Sequence, residues 1–170
     1  MQTLAFIRSS VEAVNGMVDT AMQDLTDEVV NFHPGGTSNT IAQLLAHLTT
    51  GQDLLVNDKL LVGGGTTLHD SGWAAKTGIP LERPLIWQQR DAWRLNLAGF
   101  DAFRREVAAS ALSLVDSMRE ADLDRMAAWI RGPERPVGML WQAIYINHGL
   151  GHCGEISAIK GMQGLKGLPI

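Results

Sequence analysis

The chain has 170 residues, 45% hydrophobic and 19% charged, which is enough to bury one sizeable core and gives no reason to expect a second domain; residues 1–170 are read as one globular unit. A formal net charge of −4 argues against the concentrated basic surface that nucleic-acid binders carry, so no nucleic-acid partner is expected. The single cysteine, Cys153, rules out an intramolecular disulfide, no charge-free stretch reaches membrane-spanning length, and the first ten residues lack the pattern of a leader, so no membrane partner is expected and the cytoplasm is the expected compartment.

Leu4, Ile7, Val11, Val14, Val18, Met22 and Leu25 recur at helical spacing and predict a first helix over residues 3–25. A polar connection over 31–39, with Pro34, Gly35 and Gly36, leads into Thr40-Ile41-Ala42-Gln43. That is the pattern of a capping box, with Thr40 as N-cap. The second helix should run over 41–62 with Ile41, Leu44, Leu45, Leu48, Leu55 and Leu60 inward, His47 beside that stripe, and Gly63, Gly64 and Gly65 ending it. Residues 63–84 are too many for a bundle turn; with His69 and Trp73 they predict an ordered excursion over one end, a candidate lid. A short helical piece over 85–93 precedes a third long helix over 97–118, carrying Phe100, Phe103, Val107, Ala111, Leu114 and Met118, with Arg104 and Arg105 expected to face solvent. A connector with Gly132, Pro133 and Pro136 then opens a fourth helix over 137–162, followed by a Gly-rich tail. No strand alternation and no repeat is visible. Four long amphipathic helices with one long crossover after the second make an all-α four-helix bundle, an architecture that builds metal sites from inward residues of facing helices.

The chemistry concentrates on the fourth helix. His148 and His152 stand four residues apart, so a helix stacks both imidazoles on one face, where they can grip one ion. Leu140, Ile144, His148, His152, Ile156 and Ile159 are read as one buried side, where an imidazole nitrogen without a partner costs free energy. His47 lies about a hundred residues upstream and joins them only if the second and fourth helices pack side by side. Three neutral imidazoles suit zinc, nickel, iron or copper and leave a position open for water or substrate.

Glu155, three residues after His152, should lie near the same face. It can orient a ligand, act as a base, approach the metal, or simply be solvated or paired at the bundle margin. Asp53, more than a turn beyond His47, is expected to be solvated. Cys153 points about 100° away from His152 and is read as a small buried residue. His33 and His69 fall in connections and are not read as ligands, and Trp73, Trp87 and Trp93 are read mainly as anchors of the excursion, with a pocket wall as the alternative. Gly149, Gly151 and Gly154 inside a helix call for close approach by a neighbour. The H-x-x-x-H here lacks the glutamate after the first histidine that serves as base in H-E-x-x-H peptidases.

The segment Thr40-Ile-Ala-Gln-Leu-Leu-Ala-His47, followed by Asp53, and the late Asn147-His-Gly-Leu-Gly-His-Cys-Gly-Glu-Ile156 resemble the DinB/YfiT-like superfamily, as does the long tryptophan-bearing loop after helix two. The resemblance covers most of the chain. It implies a four-helix bundle, often homodimeric, with a divalent transition metal, zinc or nickel, on His47, His148 and His152. It also implies a small-molecule substrate, and in characterised branches a transferase or isomerase that uses a low-molecular-weight thiol such as bacillithiol, mycothiol or glutathione. The alternatives are a bundle that binds metal or a small ligand without catalysis, and a metal-dependent hydrolase.

Overall fold

The computed structural model describes residues 3–60, 65–70, 72–88, 90–129 and 132–168. Helix α1 spans Thr3–Ala21, and its Ile7, Val11, Val14 and Val18 are buried, as their spacing predicts. It stops four residues before the expected end: Met22 still bonds back to Val18, but Asp24 adopts a positive φ of 61° and turns the chain. Leu25 nevertheless stays in the core beyond that turn. A four-residue helix not foreseen from the periodicity, α2 (Asp27–Val30), follows at once, because the Thr26 hydroxyl accepts the Val29 N–H and caps it.

Helix α3 (Ile41–Asp53) begins as the sequence predicts. The Thr40 hydroxyl accepts the Gln43 N–H at 3.1 Å, while the Gln43 side-chain oxygen accepts the Thr40 N–H at 2.9 Å. The helical path continues as a π-helical stretch, Leu54–Leu60, with Leu55 and Leu60 inward as expected; the predicted end near residue 62 and its Gly63 and Gly64 lie outside the described residues. The excursion is ordered into α4 (Thr67–Asp70) and α5 (Trp73–Thr77), then α6 (Leu85–Gln88), and it buries Leu68, Thr77, Ile79 and Ile86 against the bundle. Asp53 is the pin of this layer. Fully buried, it accepts the Thr67 N–H (2.9 Å) and the Leu68 N–H (3.0 Å) at the start of α4, as well as the Asn57 amide (2.8 Å). The expectation of a solvated Asp53 is therefore corrected.

Helix α7 (Leu97–Ser117) is capped by Asn96 and packs on α1. Phe100, Phe103, Val107 and Ala111 are buried; near the end Val115 takes the inward place, leaving Leu114 and Met118 half-buried. Arg105 faces solvent as expected, whereas Arg104 is only 7% exposed, bridging Asp19 of α1 and Asp101 of its own helix. The connector to the last helix holds a ladder of two residues per strand, β1 (Met126–Ala127) antiparallel to β2 (Arg135–Pro136), where no strand was expected. It is too short to alter the all-α architecture.

The last helix runs through residues 137–162 as predicted, in three parts: α8 (Val137–Leu140), a π-helical stretch Trp141–Asn147, and α9 (His148–Met162). It packs on both α1 and α3. At Gly149 a Cβ would fall 2.7 Å from a Val14 methyl, so the glycine is what lets α9 lie against α1. Among the described residues nothing approaches Gly151 or Gly154 in this way. Two further ties fix the pair: the Tyr145 hydroxyl donates to Asn15 at 2.9 Å, and buried Lys160 donates to the carbonyl of Ala21 at the end of α1 and to that of Gln23 just beyond it. Among the described residues no helix is long and apolar enough to cross a membrane.

Candidate metal centre

The site begins with an asymmetry in α3. Of its 13 residues every one is buried except His47, so a helix enclosed on all sides opens towards solvent at that single side chain. Across from it, the π stretch takes more residues per turn than an α-helix and shifts the buried stripe of the last helix by one position. The stripe therefore runs through Leu140, Trp141, Tyr145, Gly149, Cys153, Ile156 and Ile159, and Ile144, His148 and His152 lie on its flank, half-buried. The expected fully buried histidine face is corrected to a margin that the core orients and solvent can reach.

The three imidazoles converge. Nε2 of His148 lies 3.0 Å from Nε2 of His47 and 2.9 Å from Nε2 of His152, and a ligand atom from each ring fits within 4.8 Å of the others. The rings meet edge-on, with centroids 4.4–5.2 Å apart. On the far side of His152, Nδ1 is 2.7 Å from the Glu155 carboxylate. An ionised carboxylate can only accept, so Nδ1 carries the proton and Nε2 presents a lone pair towards its two neighbours. With that tautomer fixed, a proton on either other ring satisfies at most one of the two close nitrogen contacts. A cation that accepts all three lone pairs satisfies both, and metal–nitrogen bonds of about 2.0–2.1 Å put neighbouring ligand atoms about 3 Å apart. The residues thus fit a divalent transition metal.

Electrostatics points the same way. Burial, then the neighbouring His148 and His152, push the pKa of His47 down to about 3; burial and His152 push that of His148 down to about 4. Both rings are neutral at any physiological pH, as ligands must be. Nδ1 of His148 is buried without a hydrogen bond of good geometry.

Glu155 stays out of the cluster and contacts it only through His152. Cys153 is fully buried, its thiol pushed up to about 11 by burial, and takes no part. His33 accepts the Gly35 N–H in its own loop, and His69 lies on α4; neither joins the triad. The tryptophans divide. Trp73 packs on Phe103 and donates to Glu106, and Trp93 packs against the core, so both anchor the excursion. Trp87, on α6, sets its ring 4.8 Å from that of His47, is 37% exposed, and forms one wall of an open polar groove of about 500 Å³ with Gln43 and Asn39. It is the tryptophan that stands beside the triad, while the groove itself is lined by none of the three histidines. The reading of sequence missed Arg83, whose guanidinium reaches back over Gly51 to the His148 ring. It sits in an irregular connection with no periodic signal, and only a glycine one helical turn after His47 hinted at a side chain from elsewhere.

A family model described as the DinB superfamily matches residues 11–156, and the chain belongs to that superfamily. No curated protein matches it. Among solved structures, a conserved protein from Enterococcus faecalis is similar in fold, with a TM-score of 0.75 at 14% identity over 95% of this chain and 97% of that one.

Proposed function

We propose that this member of the DinB superfamily holds one divalent transition-metal ion, zinc or nickel, on His47, His148 and His152, and uses it to activate a low-molecular-weight thiol against a small electrophile. The observation that carries the reading is the convergence of the Nε2 atoms of three half-buried histidines from two different helical paths. An ion there would act as a Lewis acid, holding a thiol in its thiolate form near neutral pH. The protein's own residues supply the rest. The Glu155 carboxylate fixes the tautomer and orientation of His152, and Trp87 packs His47 in place while offering an apolar face to a substrate.

Thiol chemistry is preferred to hydrolysis for a positional reason. Hydrolysis calls for a base beside the attacking water, and the carboxylate of Glu155 is spent on the outer nitrogen of His152; among the described residues no acidic group joins the cluster. A thiol needs no such base, since its proton passes to solvent and its sulfur forms the bond to carbon as the leaving group departs with its electron pair. Residues Gly151 and Gly154, exposed on α9 with open space over them, support the further proposal that two copies pair; a monomeric mass by light scattering at micromolar concentration would contradict it.

The direct test incubates metal-loaded protein with glutathione, bacillithiol or mycothiol and a chromogenic alkyl or aryl halide. The expected result is thiol consumption that disappears in His148→Ala and on removal of the metal. Turnover that survives both treatments would refute the assignment, and a blank with fully loaded protein would favour a binding role.

A further inference from the structure

A second charged group faces the triad, and neither the fold nor the proposed ligand set uses it. Arg83 lies in the connection between α5 and α6, with its side chain half-buried against α3. A methyl group placed at Gly51 would touch both Nη2 of Arg83, at 3.5 Å, and Cε1 of His148, at 3.7 Å. The guanidinium therefore sits over the helix turn that follows His47, beside the ring of a second triad member. Its Nε is buried without a hydrogen-bond partner, and among the described residues no carboxylate pairs with it.

The acid that acts on Arg83 is engaged elsewhere. Asp53 acts on Arg83 through space, but its two oxygens are occupied by the Asn57 amide and the N–H groups of Thr67 and Leu68. Its hydrogen-bonding capacity is committed to holding α4. A half-buried cation with no carboxylate in contact among the described residues is costly, and a divalent ion on the triad would add repulsion. Both penalties are relieved by an anion that lies between them. The guanidinium fork matches a carboxylate in two parallel hydrogen bonds, which makes a planar acid the best-fitting anion.

We propose that Arg83 is an anion subsite of this pocket, binding a carboxylate of the small molecule whose reactive end reaches His47, His148 and His152. The inference rests on the reading of the triad as a metal-held substrate site and narrows it to short organic acids. The guanidinium and the His148 ring edge both lie within 4 Å of the same point above Gly51, which favours an acid group only a few bonds from the metal-seeking atom.

The test uses cobalt-loaded full-length protein and compares 3-mercaptopropionate with 3-mercaptopropionamide, which is the same length and uncharged. Binding is read from the sulfur-to-cobalt charge-transfer band. Wild type should bind the acid about tenfold to a hundredfold more tightly than the amide, the range for a charge-assisted hydrogen-bond pair shielded from water. Arg83→Met, which keeps the apolar stem, should bring the two within about threefold and leave amide binding unchanged; Arg83→Lys should restore part of the preference. Equal binding of acid and amide by wild type, or a preference that survives Arg83→Met, would overturn the proposal. A parallel readout needs no metal: millimolar 3-mercaptopropionate should raise the Tm of metal-free wild type, and not that of Arg83→Met, relative to the amide. If cobalt or the neutral thiol fails to bind, the reading of the triad falls, while this second readout still decides on Arg83. Tighter binding of inorganic phosphate than of the acid would likewise overturn the assignment to a carboxylate.

Discussion

The bundle has two kinds of helix, and they divide structure from chemistry. Helices α1 and α7 are unbroken α-helices of 19 and 21 residues that bury a single apolar stripe, with Arg104 and Asp19 closing their polar margin. The helical path that starts at α3 and the one that ends in α9 both pass through π-helical stretches, Leu54–Leu60 and Trp141–Asn147, and both carry triad histidines. The α3 path also encloses a run of polar groups, Gln43, Thr49, Thr50, Gln52, Asp53 and Asn57, whereas among the described residues α1 and α7 bury only Arg104. A π stretch gives up regular hydrogen bonding and is tolerated where the change of phase serves a site. Here it turns His148 and His152 from the core to its flank.

The difference predicts that damage to the two halves separates. Phe103→Ala empties a site in the fully buried cluster of α7 and should cost about 3–5 kcal/mol in denaturant unfolding, with metal content per folded chain unchanged. A loss of metal from the folded fraction would show the halves to be coupled. Glu155→Gln removes the charged acceptor behind His152; metal affinity should fall about 10- to 100-fold, measured by chelator competition, with little change in the stability of the metal-free protein.

Two glycines sharpen the same contrast. Gly149→Ala drives a Cβ against Val14, and overpacking between α9 and α1 should cost about 1–3 kcal/mol. Gly16→Ala, on the open side of α1, meets nothing within 4 Å and should gain about 0.5–1 kcal/mol from helix propensity. Equal effects at the two positions would contradict the packing described here.

The last predicted effect is one of pH and acts on the metal-free protein alone. With folded-state values of about 3 for His47 and about 4 for His148, against an ordinary 6.5, the unfolded chain takes up protons that the fold refuses. Stability of the metal-free protein should thus be level above pH 7 and fall as pH drops from about 6.5 towards 4. Replacing both rings by Phe should flatten that window in a Tm series; an unchanged slope would show that the rings are not held neutral.

The sequence was legible where one physical rule dominates. The stripe of α1, the capping box at Thr40 and the 137–162 helix all appear where spacing and capping chemistry put them. His148 and His152 could be singled out because i, i+4 spacing is local; their convergence with His47, a hundred positions away, is visible only in the fold. What stayed hidden depended on tertiary contacts. Asp53 looks like any surface acid until the excursion returns its N–H groups over it. Arg104 looks solvated until Asp19 arrives from another helix, and the π stretch leaves no mark in an apolar pattern read at a fixed period. Arg83 carries no pattern at all.

The most direct measurement is metal content. Protein purified without a histidine tag and reconstituted with zinc or nickel should hold about one ion per chain by elemental analysis, and His47→Ala, His148→Ala and His152→Ala should each lose it while remaining helical by circular dichroism. Stoichiometric metal that persists in any two of these variants, or no metal in fully folded wild type, would contradict the account.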